Sequence, residues 1–181
     1  MRGCRICIAL KRMSTIMNAI AQSISREVEH SKGVADTFLR AACLLETHHQ
    51  RRPSSLLELF PDLQGQTVTE AEVRQLQEAV VRFIEELPAH SEVTGAVKLL
   101  ALSGDRNLKQ FFVAQLRLHL AFRNASVVHQ LLLGLEDLGE RVFYDADGQF
   151  IGSRSVHDTD INFPVAKRYL QKHDGGISTM H

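Results

Sequence analysis

Residues 91–105, SEVTGAVKLLALSGD, are matched about 35 residues later by residues 126–140, SVVHQLLLGLEDLGE. Laid over each other, Ser91 meets Ser126, Val93 meets Val128, Leu100 meets Leu135, Gly104 meets Gly139 and Asp105 meets Glu140. A recurrence of this length is the size of one helix–turn–helix unit, which cannot bury its own apolar face and so stacks on a neighbour. The pattern decides the fold class. It predicts an all-α chain of antiparallel helical hairpins, stacked as a short solenoid or an irregular bundle.

On the N-terminal side of the first copy, Thr69-Glu-Ala-Glu72 is a capping-box signature. Val73, Leu76, Val80, Phe83 and Leu87 then alternate steps of three and four, which places them on one helical face. Ile20, Ile24 and Val28 mark a helix within 18–31, and Val34, Phe38, Ala41, Ala42 and Leu45 mark a second one closed by Pro53. Ser55-Leu-Leu-Glu58 signals a short helix through Phe60. Between the two copies, Asp105 opens a helix over roughly 106–122 that is expected to bury Leu108, Phe111, Phe112, Leu116 and Leu120. After Gly139 the period breaks. RVFYDADGQFIGS, residues 141–153, reads as one small β-hairpin around Asp145-Ala-Asp-Gly148. A polar connection over 156–162 comes next, and Pro164 is expected to open a last helix that Gly175 and Gly176 close. Residues 1–17 are expected to be a disordered extension, 18–173 a single helical domain and 174–181 a frayed tail.

The chain has 181 residues, with 21 Lys and Arg against 21 Asp and Glu, so no global charge recruits nucleic acid or an anionic membrane. Cys4, Cys7 and Cys43 are an odd count, which argues against a secreted disulfide framework. Cys4 and Cys7 form a CxxC with no second pair, and Cys43, among Ala41, Ala42, Leu44 and Leu45, reads as a buried inert thiol. The apolar run Ile6 to Leu10 is too short for a signal peptide. No stretch approaches the roughly 20 apolar residues of a membrane span. A cytoplasmic protein with no membrane partner is expected.

Chemistry-bearing motifs are sparse. Asp145-Ala-Asp-Gly148 fails as a calcium loop: with Gly148 at the sixth position, Phe143 and Arg154 fall where the first ligand and the final glutamate belong. His157-Asp-Thr-Asp160, with Asp145 and Asp147, is the densest group of metal-binding or acid–base residues. A metal-dependent or acid–base enzyme would need them to converge and lose water. His48 and His49, adjacent on a helix, point about 100 degrees apart. No HExxH, GxSxG, P-loop or GxGxxG occurs, so no catalytic residue, cofactor or metal ligand is assigned. Arg106, Lys109, Arg117 and Arg123 offer a DNA-binding alternative. They drift round their helix instead of forming a stripe, and stacking aromatics are few, so nucleic acid is disfavoured.

VTGAVKLLALSGDRNLKQFFVAQL, an apolar helix, a Gly-Asp turn and a second helix, resembles a HEAT-type repeat, and SVVHQLLLGLEDLGE resembles the first helix of the next unit. The resemblance covers residues 91–140. It implies a non-enzymatic module that binds another protein, as an adaptor, a regulator or a toxin-neutralising immunity protein. Loops on a rigid scaffold carry recognition. Asp145, Asp147, Arg154, His157, Asp158 and Asp160 are therefore the candidate partner-binding residues.

Overall fold

The structure of the protein is a computed structural model that describes residues 18–24, 35–50 and 55–177. The CxxC, Val28, Val34, Pro53 and the expected 1–17 extension lie outside the described residues, as do residues 178–181. Among the described residues there are seven α-helices: α1 (18–24), α2 (Ala35–Gln50), α3 (Glu70–Glu86), α4 (Val93–Leu102), α5 (Lys109–Ala121), α6 (Ala125–Asp137) and α7 (Thr159–Ile177). Short 3-10 turns occupy Ser55–Glu58, Pro61–Leu63 and Arg106–Leu108. The all-α expectation is met. The chain forms two compact units that divide between Ser103 and Gly104.

In the first unit, α2 and α3 both pack on α4. Helix α4 can serve two neighbours because its apolar surface is wide: Val93, Ala96, Val97, Leu99, Leu100 and Ala101 are all buried. The start of α3 is held by a reciprocal capping box, in which Thr69 Oγ1 accepts from Glu72 N at 3.3 Å and Glu72 Oε2 accepts from Thr69 N at 2.8 Å. Such a cap stabilises a helix by about 1 kcal/mol. Its apolar face then buries Val73, Leu76, Val80 and Phe83. The Phe83 ring meets Phe38 edge-on at 5.3 Å, and Cys43 is buried as expected.

In the second unit, α5 pairs with α6 and α7 packs on both. Helix α6 ends in a Schellman motif. Gly139 takes φ of 93°, its N–H reaches Glu136 O, and Glu140 N–H reaches Leu135 O, both at 2.9 Å. Helix α5 ends in the same bonding pattern, but Arg123 occupies the left-handed position with φ of 55°.

Two local expectations are corrected. Residues 141–153 form no β-hairpin; they carry a single isolated antiparallel bridge, Tyr144 to Phe150, and the described residues contain no strand. The Asp145 carboxylate captures the N–H groups of Asp147 and Gln149, so Gln149 N–H does not return the backbone bond that Asp145 N–H makes to Gln149 O, and no ladder propagates. The last helix starts at Thr159, well before Pro164, because the Asp158 carbonyl already accepts from Ile161 and Asn162 N–H. It also continues through Gly175 and Gly176 to Ile177.

Candidate functional site

The segment between α6 and α7 lacks regular secondary structure, yet it is pinned from inside. Its apolar anchor is Phe143, fully buried, whose N–H donates to Glu136 Oε1 at 3.1 Å and whose carbonyl accepts from Ile151 N–H at 2.8 Å. Gly152 lies against that ring so closely that a Cβ there would sit 2.0 Å from a Phe143 ring carbon. Only glycine allows this approach.

A second, polar anchor is Asn162 on α7, 2% exposed. Its amide nitrogen donates to Ser155 O at 2.8 Å and lies 3.3 Å from His129 Nδ1 on α6, while its Oδ1 accepts from Ser153 N–H at 3.3 Å. This orientation of the amide satisfies all three partners. Burial lowers the His129 pKa; a hydrogen bond to the Arg154 backbone opposes the shift and the Arg154 charge adds to it. The neutral ring so favoured leaves Nδ1 free to accept the Asn162 proton.

The candidate partner-binding residues divide into two groups. Asp145 and Asp158 are spent on the segment's own geometry: Asp145 Oδ1 accepts two backbone N–H groups at 3.0 and 2.8 Å, and Asp158 accepts from the Ser153 hydroxyl. Asp147, Arg154, His157 and Asp160 are exposed. Beside Arg154 stands Phe150, 46% exposed, with the guanidinium 5.9 Å from its ring centre and Tyr144 edge-on at 5.7 Å. Ile161 is exposed as well, at 43%. The segment and the first turn of α7 therefore present an aromatic ring, an aliphatic side chain and charges of both signs.

The other sequence-level sites are placed too. Among the described residues, no three or more His, Cys, Asp or Glu side chains gather so as to hold a metal ion. Of the four cations considered for DNA, Lys109 is bridged to Glu140 at 2.6 Å and Arg117 is paired with Asp174. His48 lies 3.3 Å from Glu70, while His49 is exposed. No helix of the described residues is long and apolar enough to cross a membrane.

Sequence reasoning missed Phe150, Gly152, Asn162 and His129 as parts of this site. A glycine in a short apolar run, Phe150-Ile-Gly152, hints at close approach. Nothing local marks Asn162, whose three partners come from two other parts of the chain. No protein-family model matches this sequence, and neither a curated protein nor a solved structure matches it.

Proposed function

We propose that this chain is a non-enzymatic, protein-binding helical module of the adaptor or immunity-like kind, built on HEAT-like helical pairs. Its recognition surface is the segment between α6 and α7 together with the first turn of α7. The observation that carries the reading is the combination of internal pinning and outward display. Asn162, Gly152 and the Asp145 turn hold the backbone, while Phe150, Ile161, Asp147, Arg154, His157 and Asp160 face outward. A partner that docks there meets a surface whose ordering entropy is already spent at folding. Aromatic and arginine side chains are also the residue types that dominate protein interfaces.

The test is capture of a stoichiometric protein partner from the native cell by the full chain, beside the double variant Phe150→Ala/Arg154→Ala. Both side chains project outward, so the variant is expected to keep its thermal midpoint within about 2 °C, in line with surface substitutions generally. Capture should drop by roughly tenfold or more, the loss of one interface hot spot. Undiminished capture by the folded double variant removes this surface from the proposal.

A further inference from the structure

The second unit holds a cavity of about 230 Å³ whose lining includes four cationic side chains beside apolar and aromatic ones. It is smaller than the roughly 300–1,000 Å³ of pockets that enclose drug-sized molecules, so it suits a compact group. Lys109 comes from the first residue of α5, Arg141 from the segment after α6, and Arg168 and Lys172 from successive turns of α7. These are four cations from three elements, all facing one space.

The single carboxylate in the lining does not cancel them. Glu140 Oε1 is bound to Lys109 at 2.6 Å and its Oε2 accepts from the Tyr169 hydroxyl at 3.2 Å, so both of its oxygens are engaged. Burial, then the Glu140 charge and its hydrogen bond, push the Tyr169 pKa far above its ordinary range, so the hydroxyl remains a donor. Arg141, Arg168 and Lys172 have no carboxylate partner among the described residues. Arg141 is held in place by the Tyr144 ring, 4.7 Å from its guanidinium carbon. His173 also lines the cavity. Its Nδ1 is buried with no hydrogen-bond partner, the nearest carboxylate oxygen, on Asp174, lying 3.8 Å away.

Arg141, Arg168 and Lys172 are exposed, so solvent screens much of their mutual repulsion, and their charges remain available to a ligand. An anion with several oxygens engages them together. A carboxylate offers two oxygens and one charge, whereas a phosphomonoester offers three terminal oxygens and up to two charges. Two guanidinium forks and an ammonium, approaching from different elements, match the latter. We infer that the cavity between the start of α5, the Glu140–Tyr144 segment and α7 is a binding site for a phosphomonoester group. The site shares no residue with the exposed ring and charges assigned above to partner recognition, although Tyr144 of its lining packs against Phe150, and it stands whether or not that assignment does.

Calorimetric titration of the full chain tests it, with inorganic phosphate, glycerol phosphate and a short phosphoserine peptide as probes. Acetate is the comparison at matched ionic strength, because diffuse attraction is screened alike for all anions. Saturable binding of the phosphate probes, roughly tenfold tighter than acetate, is expected from the charge-assisted bonds. It should weaken roughly tenfold in Arg168→Gln/Lys172→Gln and also in Arg141→Gln, each removing such bonds, and stay unchanged in Arg74→Gln, which alters an exposed cation of the first unit. Tighter binding of glycerol phosphate than of the peptide places the source in a small molecule, and the reverse places it in a modified protein. Equal affinity for phosphate and acetate, or full phosphate binding by both pocket variants, overturns the inference.

Discussion

Helices α4 and α6 share a sequence pattern and an ending but not a consequence. Each carries a buried apolar face, and each is succeeded by a left-handed glycine, Gly104 at φ 65° and Gly139 at φ 93°. After Gly104, Asp105 accepts from Asn107 N–H at 2.9 Å and the chain enters another helix. After Gly139, the equivalent Glu140 is engaged by Lys109 and Tyr169, and the chain enters the irregular segment. Within the helices, Thr94 of the first copy corresponds to His129 of the second. That imidazole is the side chain to which Asn162 ties the irregular segment. Left-handed glycines thus mark where both helices end, and a few polar positions decide which structure the chain adopts beyond them.

Replacing Gly152 with alanine should erase the difference most forcefully, because the new Cβ would collide with the buried Phe143 ring. A loss of about 3 kcal/mol in chemical denaturation is expected, the upper range for overpacking. A loss below about 1 kcal/mol would mean that the ring can move aside. His129→Thr, which gives the second copy the residue of the first, should cost about 2 kcal/mol by leaving a buried amide proton of Asn162 unpaired. Amide hydrogen exchange should quicken over residues 153–158 while that of α4 is unchanged. Uniform exchange in wild type and variant would show that the imidazole is not the tie.

The smallest effect is a pH dependence to which His119 and His129 contribute. Burial lowers the His119 pKa from its ordinary 6.5, and neither ring nitrogen has a hydrogen-bond partner among the described residues. Because the folded pKa is the lower one, the unfolded chain takes up the proton first as the pH falls. The stability that the neutral ring contributes is therefore complete above about pH 6.5 and is lost as the pH falls through the depressed value. His129 acts in the same direction. The denaturation midpoint should decline between about pH 7 and pH 5, and His119→Leu should flatten that decline. An unchanged slope in the variant would assign the acid sensitivity elsewhere.

The legible parts of the fold were those governed by neighbours in sequence. The Thr69–Glu72 box and the Val73–Phe83 face follow from i to i+3 or i+4 relations, and the break at Gly139 from a change of local pattern. Pro164 misled because a proline near a helix start is ordinarily its first residue, whereas here Asp158 opens the helix a turn and a half earlier. The loss of regularity after residue 140 was legible, but the arrangement of the acidic residues beyond it was not. Asp145 and Asp158 face their own backbone and a neighbouring hydroxyl, and the side chain that stands out instead is Phe150.

The helical class, the limits of most of the helices and the loss of regularity after residue 140 can all be read from the amino-acid order alone. These are properties of short stretches, in which periodicity, caps and left-handed glycines act within one or two turns. Folding in three dimensions is what makes Asn162 join His129 to Ser153 and Ser155, and what makes Phe143 demand glycine at 152. It also makes Lys109, Arg141, Arg168 and Lys172 share one cavity. Those meetings depend on how whole helices pack, and packing is set by the summed burial of many side chains, so no local pattern announces which polar groups it will bring together.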